Sequence, residues 1–339
     1  MSKKDTAQFW DTAHKYLEHH LKEIRQVSGH TISSYRDSLN SFIDYLEKVE
    51  HTNRAKVSFH DFGKDTLKKY QNWMLTERCL APKTCNLRMT AIRALLEFAS
   101  QEHLWIMPLY TDACGIDGTI VPNNPIEYFE PDQMTMLLAA PSGKRKNDRR
   151  NQMMLIFLYD TAARVDEAKR VRLADLHLDV ETPYVTLLGK GRKYRNIPLM
   201  ERTVLHLKKY IREFHAGSEA GDRPLFYSTA HGAIHSLSSD TFEKMIKKYA
   251  DQCRLDGKTM PDNVHCHMVR KTRAMDLYRE GIPLTHIQQL LGHENISTTS
   301  GFYAFATLDV LADAMNTVKP DDGIKSWDDP ETLNRLYRL

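Results

Sequence analysis

The sequence predicts a mainly α-helical protein of two domains, with a small β-hairpin in the second. Three observations carry that expectation. Apolar residues recur at helical spacing along most of the chain, a Pro/Gly-rich interval at 103–130 breaks the pattern, and one stretch alone sets β-branched runs on either side of a turn. The length of 339 residues agrees, because a single core seldom organises so many.

The first expected domain, 1–110, is helical. Phe9, Ala13, Tyr16, Leu17, Leu21 and Ile24 mark a helix over 9–24, and Ile32, Tyr35, Leu39, Phe42, Ile43 and Leu46 line one face of a second over 28–49. A third runs over 64–78. The fourth opens at Pro82, a residue suited to a first helical turn, and carries Leu87, Ile92, Leu95, Leu96 and Phe98. No strand is expected in this half. From 103 onward Pro108, Pro122, Pro125 and Pro131, with Gly115 and Gly118, predict a stretch that breaks helices and an interdomain linker over 111–130.

The second expected domain, 131–318, begins with helical patterns at 131–141 and 149–171. In TPYVTLLGKGRKYRNIPL, 182–199, apolar and β-branched runs flank a Gly-Lys-Gly-Arg-Lys turn, which predicts the hairpin. Helices follow at 201–215, 238–254, 267–280 and 283–291, and another around Leu308–Met315. The tail, 319–339, has a polar spacer, then Pro330 opening a short helix with Leu333, Leu336, Tyr337 and Leu339 on its apolar face.

Composition narrows the function. Hydrophobic residues make up 41% and charged residues 27%, which suits a globular chain rather than a disordered one. No run of about 18 apolar residues suggests a membrane span. MSKKDTAQFW lacks the apolar stretch of a secretory signal, and the five cysteines form no CxxC pair, so a cytoplasmic protein with reduced thiols is expected. The net charge is only +3, so any binding of nucleic acid must rest on local clusters.

Several residues could carry chemistry. Arg164 and Glu167 lie three apart in TAARVDEA, Lys190 is at the hairpin tip, and His267 and Arg270 lie three apart in HCHMVRKT. His293 follows Gly292, and Tyr303 comes ten residues later. Arginines clamp phosphate oxygens, a lysine or histidine can protonate a departing alkoxide, and a tyrosine can hold a phosphoryl group covalently. Each feature alone has a plain structural explanation: a surface ion pair, a solvated turn or a core tyrosine. His265, Cys266 and His267 lack a second ligand cluster, so no metal site is expected.

As an ordered set these strings resemble the tyrosine recombinase, or phage integrase, family. TAARVDEAKRVRLADL resembles its first arginine box, with Ala162 where a glycine is usual. LGKGRKYRNIPL resembles the hairpin that carries the catalytic lysine, and His267 and Arg270 match the His-x-x-Arg box. GIPLTHIQQLLGHENISTT resembles the third box, with His293 as the second histidine and Tyr303 as the nucleophile. The likeness covers 131–318, while HTISSYRDSLNSFIDYL and APKTCNLRMTAIRALLEFA resemble the family's helical core-binding domain. Lys271 stands where many members have a histidine. The family usually places its tyrosine nine residues after the LLGH histidine; here that position is Phe302 and Tyr303 is tenth, with Gly301 able to absorb the extra residue.

The resemblance implies a helical core-binding domain followed by a mixed α/β catalytic domain. It implies a site-specific DNA recombinase that cuts and rejoins through a 3′-phosphotyrosyl intermediate and a Holliday junction, without cofactor or metal. Arg164, Lys190, His267, Arg270, His293 and Tyr303 would be catalytic and Glu167 supporting. The implied partners are double-stranded DNA with specific recombination sites and a homo-tetramer on that DNA, from a free monomer, in the cytoplasm at the nucleoid. Candidate DNA contacts are Lys83, Thr84, Asn86, Arg88 and Arg93 on the fourth helix, and Lys144, Arg145 and Lys146 in KRKNDRR. A DNA-binding regulator without catalysis and a type IB topoisomerase-like enzyme remain open at this point.

Overall fold

The computed structural model describes residues 3–122, 127–189, 191, 193–216, 221–230 and 232–292. The chain forms two units, Met1–Asn124 and Pro125–Leu339.

The first unit is helical. Helix α1, Lys3–His14, continues into a π-helical segment, Lys15–Ile24. Bonds from residue i to i+5 put Tyr16 and Leu21, five apart, on the buried face, and Ile24 is turned 61% into solvent, against the 3.6-residue expectation. Helix α2 spans Gly29–Lys48, with the Ser28 hydroxyl accepting from the Thr31 amide. Helix α3 spans Lys64–Thr76, and α4, Pro82–Glu102, carries its proline in the first turn as expected. Phe9, Phe42, Phe62, Tyr70, Ile92 and Leu96 are among the side chains of the core they enclose. Leu87 points outward, and Cys85 and Met89 take inward positions instead.

The expectation that the Pro/Gly stretch lacks helix needs correction. Helix α5, Met107–Cys114, forms there and packs on α4, burying Ala113. Pro108 lies in its first turn, where a missing amide hydrogen leaves no bond unmade.

In the second unit α7, Lys146–Thr161, is central and packs against α6, Pro131–Ala139, and four later helices: α9, Glu201–Phe214; α10, Ser239–Leu255; α11, Cys266–Arg279; and the single turn α8, Val165–Ala168. The pattern at 149–171 is therefore not one helix. Ala162 adopts φ 48°, ψ 29°, which ends α7, and the Thr161 hydroxyl accepts from the Ala163 amide at 3.2 Å across the break.

The expected hairpin is present as β2, Tyr184–Leu188, and β3, Tyr194–Pro198, with β1, Leu176–His177, added as a third antiparallel strand. A second hairpin, β4, Tyr227–Ala230, and β5, Ala233–Ser236, was not expected. All four β5 residues are exposed, so no apolar alternation advertises it. Helix α12, Leu284–Leu291, completes the described part. The expected helix at Leu308–Met315 and the tail 319–339 lie outside the described residues.

Candidate active site

Glu167 is the hub of the site. It lies in α8, directly after the break at Ala162, and is 3% exposed. Its Oε2 accepts from the Arg164 amide at 2.8 Å, so it closes the start of its own helix. Its Oε1 accepts from Arg164 Nη1 at 3.0 Å. Arg195 of β3 then binds both oxygens, Nη1 to Oε1 at 2.8 Å and Nη2 to Oε2 at 2.7 Å. Burial would raise this carboxyl, but the hydrogen bonds and charge of Arg195, helped by Arg164, hold it below the usual carboxylate range.

The arginines meet again at the end of α12. Arg195 Nε donates to the Leu290 carbonyl at 3.0 Å. Arg270, buried in α11, donates to the Ala162 carbonyl at 2.7 Å and to the Leu291 carbonyl, which Arg164 Nη1 also reaches at 3.5 Å. The last carbonyls of a helix have no partner within it and carry its partial negative charge, so cations gather there. Gly292 then turns the chain away in the left-handed conformation, φ 61°, ψ 48°.

Arg164 and Glu167 are thus brought together with Arg270, about a hundred residues further along the chain. His267 joins them. With Ala163, Arg164, Val165, Asp166, Ser239, Glu243 and Cys266 it lines a cleft of about 220 Å³. Partial loss of water, then repulsion from Arg270, Lys271, His265 and Arg164, pushes its imidazole down to about 4. At neutral pH His267 is an unprotonated base on the wall of a cleft that also carries Arg164, Asp166 and Glu243. Lys190, His293 and Tyr303 lie outside the described residues.

The candidate DNA contacts divide. Asn86 is paired twice with the Thr119 backbone, at 2.8 Å each, and Arg88 donates to the Ser41 hydroxyl at 2.6 Å. Arg93 donates to the carbonyls of Ala113 and Ile116 at 2.9 and 2.7 Å, tying down the end of α5. These three hold the fold of the first unit, whereas Lys83 is exposed. Lys144, Arg145 and Lys146 are all exposed at the start of α7, and Lys146 also lies 5.0 Å from the centre of the Phe214 ring.

Sequence reasoning passed over Arg195. A signal was available: β3 alternates, with Tyr194 exposed and Ile197 buried, and Arg195 shares the inward face with Ile197 opposite Leu187. An arginine directed inward from a strand must find a carboxylate or carbonyls.

Residues 127–307 match the model of the phage integrase family, and residues 14–103 match that of the phage integrase N-terminal SAM-like domain. Tyrosine recombinase XerC of Halalkalibacterium halodurans is 28% identical over 309 residues, covering 89% of this chain and 95% of its own. Tyrosine recombinase XerD of Vibrio cholerae is 26% identical over 286 residues, 84% of this chain and 88% of its own. Two solved structures share the fold. One is XerH site-specific recombinase in a post-cleavage complex with palindromic difH substrate, with TM-score 0.66 and 19% identity, covering 86% of this chain and 81% of that one. The other is the Tn1549 transposon integrase with a circular intermediate DNA, with TM-score 0.67 and 17% identity, covering 91% and 99%.

Proposed function

This chain belongs to the phage integrase family of tyrosine recombinases, site-specific enzymes that cleave and rejoin DNA, and from that premise we propose roles for its residues. Tyr303 attacks the scissile phosphate, forming a 3′-phosphotyrosyl bond and releasing a 5′-hydroxyl. Arg164 and Arg270 stabilise the charge that grows on the non-bridging oxygens. Lys190 protonates the departing 5′-oxygen, His267 takes the tyrosine proton, His293 hydrogen-bonds the phosphate, and Glu167 holds Arg164 in place. The 5′-hydroxyl of a partner strand reverses the step through a Holliday junction. The phosphoester energy stays in the enzyme bond, so the exchange needs neither nucleotide hydrolysis nor a cofactor.

The observation that carries this reading is the convergence of Arg164 and Arg270 on one carbonyl, beside a cleft lined by the neutral His267. Two fixed guanidinium groups and an uncharged base suit a phosphodiester under attack by a phenol. The exposed Lys83 and Lys144–Lys146, with the half-buried Thr84, are the DNA contacts we favour. A nicked suicide duplex tests the scheme: wild-type protein should be trapped covalently through Tyr303, and Tyr303→Phe should bind without being trapped. A covalent peptide at another tyrosine, such as Tyr278, would overturn the assignment, and no adduct at all would favour a regulator without catalysis.

The working assembly on DNA is, in this proposal, a cyclic tetramer at the nucleoid. The tail sequence sets Leu333, Leu336, Tyr337 and Leu339 at helical spacing, apolar residues that a neighbouring protomer would cover in this assembly.

A further inference from the structure

Arg195 touches two segments that each lead directly into a residue given a chemical role above. A Cβ on Gly189, the residue before Lys190, would lie 3.3 Å from Arg195 Nη1. A Cβ on Gly292, the residue before His293, would lie 3.2 Å from Arg195 Cδ and Nη1. Arg195 is itself part of the hairpin, paired opposite Leu187, and its guanidinium donates three hydrogen bonds, two to the buried Glu167 carboxylate and one to the Leu290 carbonyl. Glu167 in turn holds both the amide and the guanidinium of Arg164.

We propose that Arg195 is a positioning residue for strand cleavage, locking the hairpin that leads into Lys190 onto the buried Glu167 carboxylate and the carbonyl end of α12. The proposal rests on the reading of Lys190 as proton donor. Lysine at 195 would keep the charge but not the planar fork, so the two-oxygen grip on Glu167 would be lost. A plain stabilising ion pair would produce a loss of folded protein, equal for every substrate. A positioning role predicts a loss that depends on whether the leaving group needs a proton.

The test uses the full-length protein under single turnover on two suicide duplexes. One has an ordinary scissile phosphate; the other has a bridging 5′-phosphorothiolate. In both, the Tyr303 oxygen bonds to phosphorus. In the first the P–O5′ bond breaks and O5′ takes a proton from Lys190; in the second the P–S bond breaks and the thiolate departs unprotonated. Misplacement of a reacting group by about 1 Å costs on the order of 100-fold, so Arg195→Lys should lose about that on the ordinary duplex and less than about tenfold on the phosphorothiolate. Thermal unfolding and gel shift check that the variant folds and binds. Gly189→Ala leaves Arg195 present but puts a methyl 3.3 Å from its Nη1, and should show the same pattern more weakly. If Arg195→Lys does not fold, Gly189→Ala decides by the same criterion. Equal loss on both duplexes overturns the proposal. Lys190→Ala separates the two levels: relief of its defect by the phosphorothiolate with none for Arg195→Lys sinks only the role of Arg195, whereas no relief for Lys190→Ala sinks the proton-donor reading and the proposal with it.

Discussion

Ala162 carries a side chain through the left-handed region, at a cost of about 1–2 kcal/mol. It is fully buried, and its methyl recovers about 0.8 kcal/mol of burial. Ala162→Gly should therefore change stability by less than about 1 kcal/mol. Ala162→Val adds branching to the same backbone and volume to a filled site, and should cost at least about 2 kcal/mol in urea melts. His267 makes a prediction about pH. Its imidazole titrates near 6.5 when unfolded and near 4 when folded, so the unfolded chain binds more protons between those values. Stability should fall as pH drops from 6.5 toward 4, and Glu167, held below its ordinary 4.5, extends the loss to lower pH. His267→Gln should flatten the first part of that fall, although His215, lowered by burial, keeps some of it. Identical slopes for variant and wild type between pH 6.5 and 4.5 would show that His267 is not depressed.

At the scale of elements, α4 serves two purposes with residues of the same chemical type. Arg93 secures the carbonyl end of α5 from within its own unit, while Lys83 stands in solvent. Hydrogen bonds from a charged donor contribute about 1.5–3 kcal/mol, so Arg93→Ala should lower the stability of the first unit by about that much. Lys83→Ala should leave stability unchanged, weaken DNA binding across sequences and reduce the salt slope by about one. The reverse outcome, stability lost at Lys83 and binding lost at Arg93, would show that the roles are exchanged. In the second unit α8 is only four residues long, yet it organises the site. The break at Ala162 starts it, Glu167 closes it, and Lys169 and Asp166 tie it to Ser239 of α10 at 3.0 and 3.1 Å.

At the scale of the molecule, each unit has its own apolar core. One is built on Phe42, Tyr70 and Leu96, the other on Phe157, Phe226 and Phe242. Residues 1–122 expressed alone should therefore unfold cooperatively, a point that circular dichroism during a thermal ramp can check. A non-cooperative trace would mean that this core depends on the second unit. The tail makes a separate prediction. Deleting 326–339 should leave single-site binding intact but reduce synaptic complex and recombinant on two-site DNA. Equal yields from full-length and truncated protein would mean that the tail packs on its own domain or contributes nothing to assembly.

The helices α2, α3, α4 and α9–α12 and the β2–β3 hairpin were legible in the chain because their signals are local: apolar period, Pro82 within a first turn, glycines between β-branched runs. The boxes that resemble the tyrosine recombinases were legible for the same reason, as short strings with fixed spacing. Tertiary structure decided the rest. It used Asn86, Arg88 and Arg93 to hold the first unit together, although their sequence pattern matched that of exposed Lys83. It made a helix of Met107–Cys114 by giving Ala113 a core to enter. It also brought Arg195, from a strand 28 residues beyond Glu167, onto that carboxylate and the carbonyl end of α12. A buried charge is stable only where distant segments deliver its partners, and which segments meet is a property of packing rather than of neighbouring residues.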